Sequence, residues 1–193
     1  LQPLLADRMI CVSRAVLEEL QKSGVPAGML DLIYNGVEIP ARPAVKNSPE
    51  RDFVRKTSSF PDLTPGPGPT IVSVGRLERE KGHRFLIEAM PRVLKHYPSA
   101  RLLVAGDGSL RGELETLVSS LGLEASVSFL GFIEDVPGLL ALADAFVMPS
   151  LSEALGLSML EAMAHGVPVV GSATGGVSEV IEPGFNGLLV PPA

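Results

Sequence analysis

The sequence predicts an open, doubly wound α/β domain, and three observations carry that reading. Short runs rich in Val, Ile and Leu alternate with amphipathic stretches, the pattern of repeated strand and helix units. The strand-like runs are apolar throughout rather than at every second residue, as a parallel sheet covered on both faces requires. The helix-like runs repeat apolar residues at intervals of three and four.

Taken in order, the first unit is a strand in "RMICVS" and a helix in "SRAVLEELQKSG", with Ser13 as N-cap and Gly24 as the stop. A second strand follows in "LDLIYNGVE". From about Glu38 to Pro69 proline accumulates and the stretch ends in "PGPGP", which reads as a linker or long loop. From Thr70 the alternation is regular: strand "TIVSVG", a helix from His83 to His96, strand "RLLVAG", helix "LRGELETLVSSLG", strand "VSFLG", short helix "VPGLLALA" and strand "AFVMPS". A helix across "GLSMLEAMA", strand "VPVVG", a short helix near "GGVSEVI", a turn "EPGFNG" and a last strand "LLV" complete it. The division expected is a segment entering the domain (1–37), a Pro/Gly-rich linker (38–69) and a Rossmann-like α/β core (70–193).

With 193 residues and 46% apolar content, the chain can bury a substantial core. Its 22 acidic and 16 basic residues leave a net charge of −6, which argues against a nucleic-acid binder working by phosphate neutralisation. The single cysteine, Cys11, can form no internal disulfide, which fits a reducing compartment and a cytoplasmic setting. No apolar run approaches the roughly 18 residues that span a bilayer, and Asp7 and Arg8 interrupt the start where a signal peptide would stay apolar. The absence of an initial Met and the stop at "LLVPPA" read as a fragment.

Open parallel α/β sheets bind ligands at the carboxyl ends of their strands, so the loops that follow strands are the places to look for chemistry. In "VGRLEREKGH", Gly75 permits a sharp exit, and Arg76 and Lys81 suit a diphosphate as planar fork and point charge; the other reading is a solvated loop in which Glu78 and Glu80 neutralise both cations. In "AGDGSLRGE", Gly106, Gly108 and Gly112 resemble a dinucleotide fingerprint with altered spacing. The next strand ends "FLG" without a ribose-binding acid, so an NAD-linked dehydrogenase is disfavoured and a tight turn near a ligand remains. In "FLGFIEDV", Phe132 stacks on a base or packs in the core, and Asp135 caps the next helix.

The fourth loop leads into "SEALGLSMLEAMAHGVPVV", with two glutamates seven residues apart in an otherwise apolar segment. Glu153 precedes the helix, whose first amides at Gly156, Leu157 and Ser158 form an anion site. Glu161 lies inside it, about 7 to 8 Å along the axis, roughly the span from a phosphate to a nucleotide's far sugar ring. Leu157, Leu160 and Ala164 are the expected core face.

Together, "VGRLEREKG", "GDG", "LGF" and "SEALGLSMLEAMAHGVPVV", with "CVS" and "NGVE" at the entrance, strongly resemble the carboxyl-terminal, donor-binding half of family-four retaining glycosyltransferases (glycosyl transferases group 1), which have the GT-B fold. The resemblance implies transfer of a sugar from a nucleoside diphosphate sugar to an acceptor hydroxyl with retained configuration, and no cofactor. By it, Arg76 and Lys81 hold the diphosphate, Glu153 contacts the transferred sugar, and Glu161 accepts from the ribose hydroxyls. Gly156, Leu157 and Ser158 give amides to the phosphates, and Phe132 lies near the base; Gly75 and Gly106 are also counted among the expected donor-binding residues. Without an Asp-x-Asp or a His/Cys cluster no metal site is expected. Ala154 stands where the family often has Gly. An acceptor-binding half is missing, so the fragment by itself is expected to bind donor without transferring sugar, and peripheral membrane association of the full enzyme stays open. The competing readings are a nucleotide-sugar epimerase or phosphorylase of the same architecture and a non-catalytic docking module. Base, sugar and acceptor are not specified.

Overall fold

The computed structural model describes residues 6–40 and 67–193; most of the predicted linker lies outside the described residues. The first segment forms β1 (Met9–Cys11), α1 (Arg14–Lys22) and β2 (Leu30–Leu32), with β1 and β2 paired in parallel. Ser13 caps α1 by accepting from the Val16 amide, and Gly24 follows its end in the left-handed region.

A six-stranded parallel sheet follows, built from β3 (Thr70–Val74), β4 (Arg101–Ala105), β5 (Val127–Gly131), β6 (Ala145–Met148), β7 (Val169–Ser172) and β8 (Leu188–Val190) in the order β5-β4-β3-β6-β7-β8. The helices α2 (His83–His96), α3 (Arg111–Ser120), α4 (Val136–Leu142), α5 (Leu157–Ala164) and α6 (Val177–Val180) connect them. Continuous apolarity in the strands feeds two separate layers. Leu102 and Val104 of β4 pack with Ile87 and Met90 of α2 and Leu114 and Val118 of α3. Leu103 and Ala105, on the opposite face, pack with Leu139 of α4, Met159 and Ala162 of α5 and Val177 of α6. This is the doubly wound arrangement that the sequence predicts. Asp135 caps α4 as expected, accepting from the Gly138 amide at 2.8 Å.

The strand order carries the functional geometry. From β3 the chain winds outward through β4 and β5, then returns to β6 on the other side of β3 and winds outward again. The carboxyl ends of β3 and β6 therefore flank the switch point, where neighbouring loops diverge and leave a crevice. The "GDGSLRG" turn follows β4, not β3, so it is not the first strand-to-helix turn on which a dinucleotide fingerprint acts.

Candidate functional site

The loops leaving β3 and β6 meet at this switch point. Gly75, Arg76 and Lys81 from one, and Glu153, Ala154, Leu155, Gly156, Leu157 and Ser158 from the other, line a cleft of about 330 Å³. The loops are tied by backbone: the amides of Leu151 and Ser152 donate to the Glu80 carbonyl at 2.8 and 3.3 Å. That tie brings two charges together. The Lys81 ammonium donates to the Glu153 carboxylate at 2.6 Å, with the two side chains 21% and 10% exposed. Ser150, buried beneath, donates its hydroxyl to the same carboxylate oxygen at 3.3 Å.

The cations have different partners. Arg76 reaches outward to Glu80, four residues on, at 2.8 Å, and its side chain is 71% exposed. An exposed pair of this kind contributes little stability, so an anion in the cleft can compete for the guanidinium at small cost. Glu78 is engaged elsewhere. It accepts from the Ser109 amide and hydroxyl, which hold its carboxyl below the usual range. Of the two acids that could neutralise this loop, only Glu80 is bonded to one of its cations.

Helix α5 starts beside the cleft with Gly156 as N-cap at φ 90°, and no side chain caps it. The left-handed turn at Gly156 is what aims the first helical amides at the loop; a Cβ there would press on Met148. The Ser158 hydroxyl donates to the Val74 carbonyl at 3.0 Å, fixing the helix start to the end of β3. Gly75 is not in the left-handed region, and a Cβ there would make only ordinary contacts with His83 and Lys81.

One sequence expectation is corrected here. The core stripe of α5 is Met159 and Ala162, not Leu157, Leu160 and Ala164, and Leu157 is 43% exposed on the cleft side. The helix is apolar at nearly every position, so periodicity could not choose its face. Met159 seats against Gly171 of β7, where a side chain would collide with Val177 and Ile181. Glu161, four residues after Leu157, consequently shares the open face.

Glu161 lines a neighbouring cleft of about 340 Å³ with Val136, Pro137, His165, Glu38 and Pro40. The His165 Nδ1 lies 2.9 Å from the Glu161 carbonyl oxygen. Phe132 is 81% exposed at the end of β5, away from the core, and lines neither cleft. Gly106 also lines neither. It backs the site, because a Cβ there would strike the Gly75 carbonyl.

Three contributions were not legible from the sequence. Ser150 read as the end of a strand. The loop "ATGGVS" read only as a helix start, yet the Gly176 amide donates to the Glu153 carbonyl at 3.1 Å and Thr174 donates to the Leu151 carbonyl at 3.0 Å. A Cβ at Gly175 would collide with that same Glu153 carbonyl; adjacent glycines were the available signal of so close an approach. His83 is 3% exposed at the start of α2, and burial, reinforced by the charge of Lys81, pushes its pKa down to about 4. Among the described residues no group of three or more His, Cys, Asp or Glu could hold a metal ion, and no helix is long and apolar enough to cross a membrane.

Two cations, an uncapped helix start and a carboxylate thus meet at the switch point. The family model described as glycosyl transferases group 1 matches residues 54–193. The chain belongs to the glycosyl transferases group 1 family. It is 36% identical over 188 residues to an uncharacterized glycosyltransferase of Methanocaldococcus jannaschii, covering 96% of this chain and 47% of that protein. It is 37% identical to a GDP-mannose-dependent monoacylated alpha-(1-6)-phosphatidylinositol monomannoside mannosyltransferase of Corynebacterium glutamicum, covering 95% of this chain and 49% of that protein. The structure resembles that of Anabaena HepE in complex with UDP and glucose, with a TM-score of 0.83, 32% identity and coverage of 97% of this chain and 50% of that one. Such neighbours are GT-B glycosyltransferases, the architecture expected from the sequence. The chain spans about half the length of these relatives.

Proposed function

We propose that this chain is the donor-binding half of a retaining, metal-independent glycosyltransferase that moves a sugar from a nucleoside diphosphate to an acceptor hydroxyl. The observation that carries the reading is the single cleft in which Arg76, Lys81, the start of α5 and Glu153 converge. Residues 70–193 form the donor-binding core, residues 1–37 lead into it through the 38–69 linker, and the complete cytoplasmic enzyme pairs them with an acceptor-binding half that transfer requires.

In this reading the diphosphate lies against the amides of Leu157 and Ser158 and between Arg76 and Lys81, with Gly75 and Gly156 leaving room for it. As the bond from the anomeric carbon to the phosphate oxygen breaks, the leaving diphosphate keeps the electron pair, and these fixed donors stabilise the added charge. Lys81 then divides its three donors between phosphate and Glu153. Glu153 meets the hydroxyls of the transferred sugar, Glu161 those of the ribose, and exposed Phe132 offers a face to the base. Gly106 acts from behind by letting the Gly75 loop sit close to β4.

Calorimetric titration of this chain with UDP, GDP and ADP tests the donor site and names the base. Glu161→Ala should weaken nucleoside diphosphate binding about tenfold, the loss of charge-assisted hydrogen bonds. Glu153→Ala should leave nucleoside diphosphate binding nearly intact and weaken the nucleotide sugar instead. No saturable binding of any of the three would refute the reading and favour a docking module.

A further inference from the structure

Asn is followed by Gly at two places in the chain, Asn35–Gly36 and Asn186–Gly187. Asn is a chemically labile residue, and a following glycine leaves the next amide nitrogen unshielded by a Cβ. The two pairs sit in opposite surroundings. The Asn186 Oδ1 accepts from the Glu182 amide at 2.7 Å and its Nδ2 donates to the Val180 carbonyl at 3.0 Å, so swinging this side chain toward the Gly187 nitrogen breaks two hydrogen bonds. Asn35 has no such ties. It is exposed, and neither its side chain nor the Gly36 amide bonds to another described residue. Residues 33–40 belong to no helix or strand, and a Cβ built on Gly36 would meet nothing within 4 Å.

Asn35 also stands at the cleft, lining it with Arg76, Lys81 and Glu153. The residue before it is fixed. Glu179 on α6 accepts from the Tyr34 hydroxyl at 2.6 Å and from the amides of Arg14 and Ala15, the first residues of α1, at 3.0 and 2.7 Å. A charge created at Asn35 therefore stays beside the two cations.

We infer that Asn35 is a site of spontaneous deamidation, and that the carboxylate it produces weakens anion binding in the cleft, so that the chain loses donor affinity as it ages. The Gly36 amide nitrogen gives its proton to water or hydroxide and attacks the Asn35 Cγ. A carbon–nitrogen bond closes a five-membered succinimide, and the side-chain nitrogen leaves as ammonia. Water then opens either carbon–nitrogen bond of the imide, leaving aspartate or isoaspartate at position 35. Water is consumed, ammonia is released and nothing is oxidised or reduced. The new carboxylate competes with a bound anion for Arg76 and Lys81 and repels it. Only this effect on affinity rests on the donor-site reading above; the deamidation does not.

The test is to age the chain at mildly alkaline pH and follow both Asn-Gly peptides by mass spectrometry and by enzymatic methylation of isoaspartate. Asn35 should convert first while Asn186 persists, and Gly36→Ala, whose Cβ has room in the fold but shields the attacking nitrogen, should suppress the conversion. Conversion of Asn186 before Asn35, or an undiminished rate in Gly36→Ala, overturns the site. The consequence is read by titration with the nucleoside diphosphate, UDP, GDP or ADP, that the unaltered chain binds. Asn35→Asp should raise its Kd about three- to tenfold, the effect of one added charge in a partly screened cleft, and the loss should shrink as salt is raised. Asn35→Ala adds no charge and should stay within about twofold. Unfolding midpoints equal to the parent's report that the variants are folded. Equal affinity of Asn35→Asp and parent, or the same loss in Asn35→Ala, overturns the effect on binding. If the unaltered chain binds none of the three, the donor-site reading falls with that effect, and the mass spectra still decide the deamidation.

Discussion

His83 should make the stability of this chain fall between pH 6.5 and 4. The ring is 3% exposed, its Nδ1 has no hydrogen-bond partner among the described residues, and its pKa drops from 6.5 to about 4 through burial and then the neighbouring Lys81 charge. In the unfolded chain the imidazole takes a proton at about its ordinary value. The folded chain refuses that proton until about pH 4, so below 6.5 the unfolded state binds more protons and folding weakens as pH falls. The interval is roughly 2.5 pH units at about 1.4 kcal/mol each, or about 3 kcal/mol in all. His83→Leu removes the titration while keeping an apolar side chain of similar bulk. Denaturant unfolding of both chains at pH 7.5 and pH 4 reads the difference. Carboxylates such as Glu78 and Glu179, whose pKa values are lowered, also lose stability in acid, but they do so in both chains and cancel. The stability gap between variant and parent should move by about 3 kcal/mol in favour of the variant. Parallel losses in the two chains would mean that the ring is not held neutral, and the account of its burial beside Lys81 would be wrong.

Two other outcomes bear on the site. Arg76→Ala in the complete enzyme should lower turnover about 10²- to 10³-fold, the usual loss when one fixed donor to a developing charge is removed; a steady-state rate equal to the parent's would sink the assignment of Arg76. Gly175→Ala should cost at least about 1 kcal/mol, because φ is 47° there and the new Cβ meets the Glu153 carbonyl. It should also weaken nucleotide-sugar binding more than nucleoside diphosphate binding. An unfolding midpoint identical to the parent's would show that the Gly175 loop can relax freely.

Local rules went a long way in this chain. The strand at 127–131 and the helix at 83–96 have the ends their residues announce, because apolar period, caps and glycines act over a few positions. The same holds for Ser13 and Asp135, whose capping needs only neighbouring amides. The residues proposed for the site were legible for a related reason: loops after strands are where such sheets bind ligands, and Arg76, Lys81, Glu153 and Gly156 all stand there.

What the sequence by itself determined, then, is the order of strands and helices, their caps, and which loops carry charge, since all of these follow from contacts within a few residues. Tertiary structure alone decided the rest. It chose Met159 and Ala162 over Leu157 as the buried stripe of α5, because only the shape of β7 at Gly171 distinguishes two equally apolar faces. It paired Lys81 with Glu153 and Arg76 with Glu80, although all four charges were visible in the chain. It also brought Glu179 to α1 and Tyr34, 145 and more residues away. Those outcomes depend on how the β3 and β6 loops and the first segment meet across the sheet, a distance in space that residue spacing does not encode.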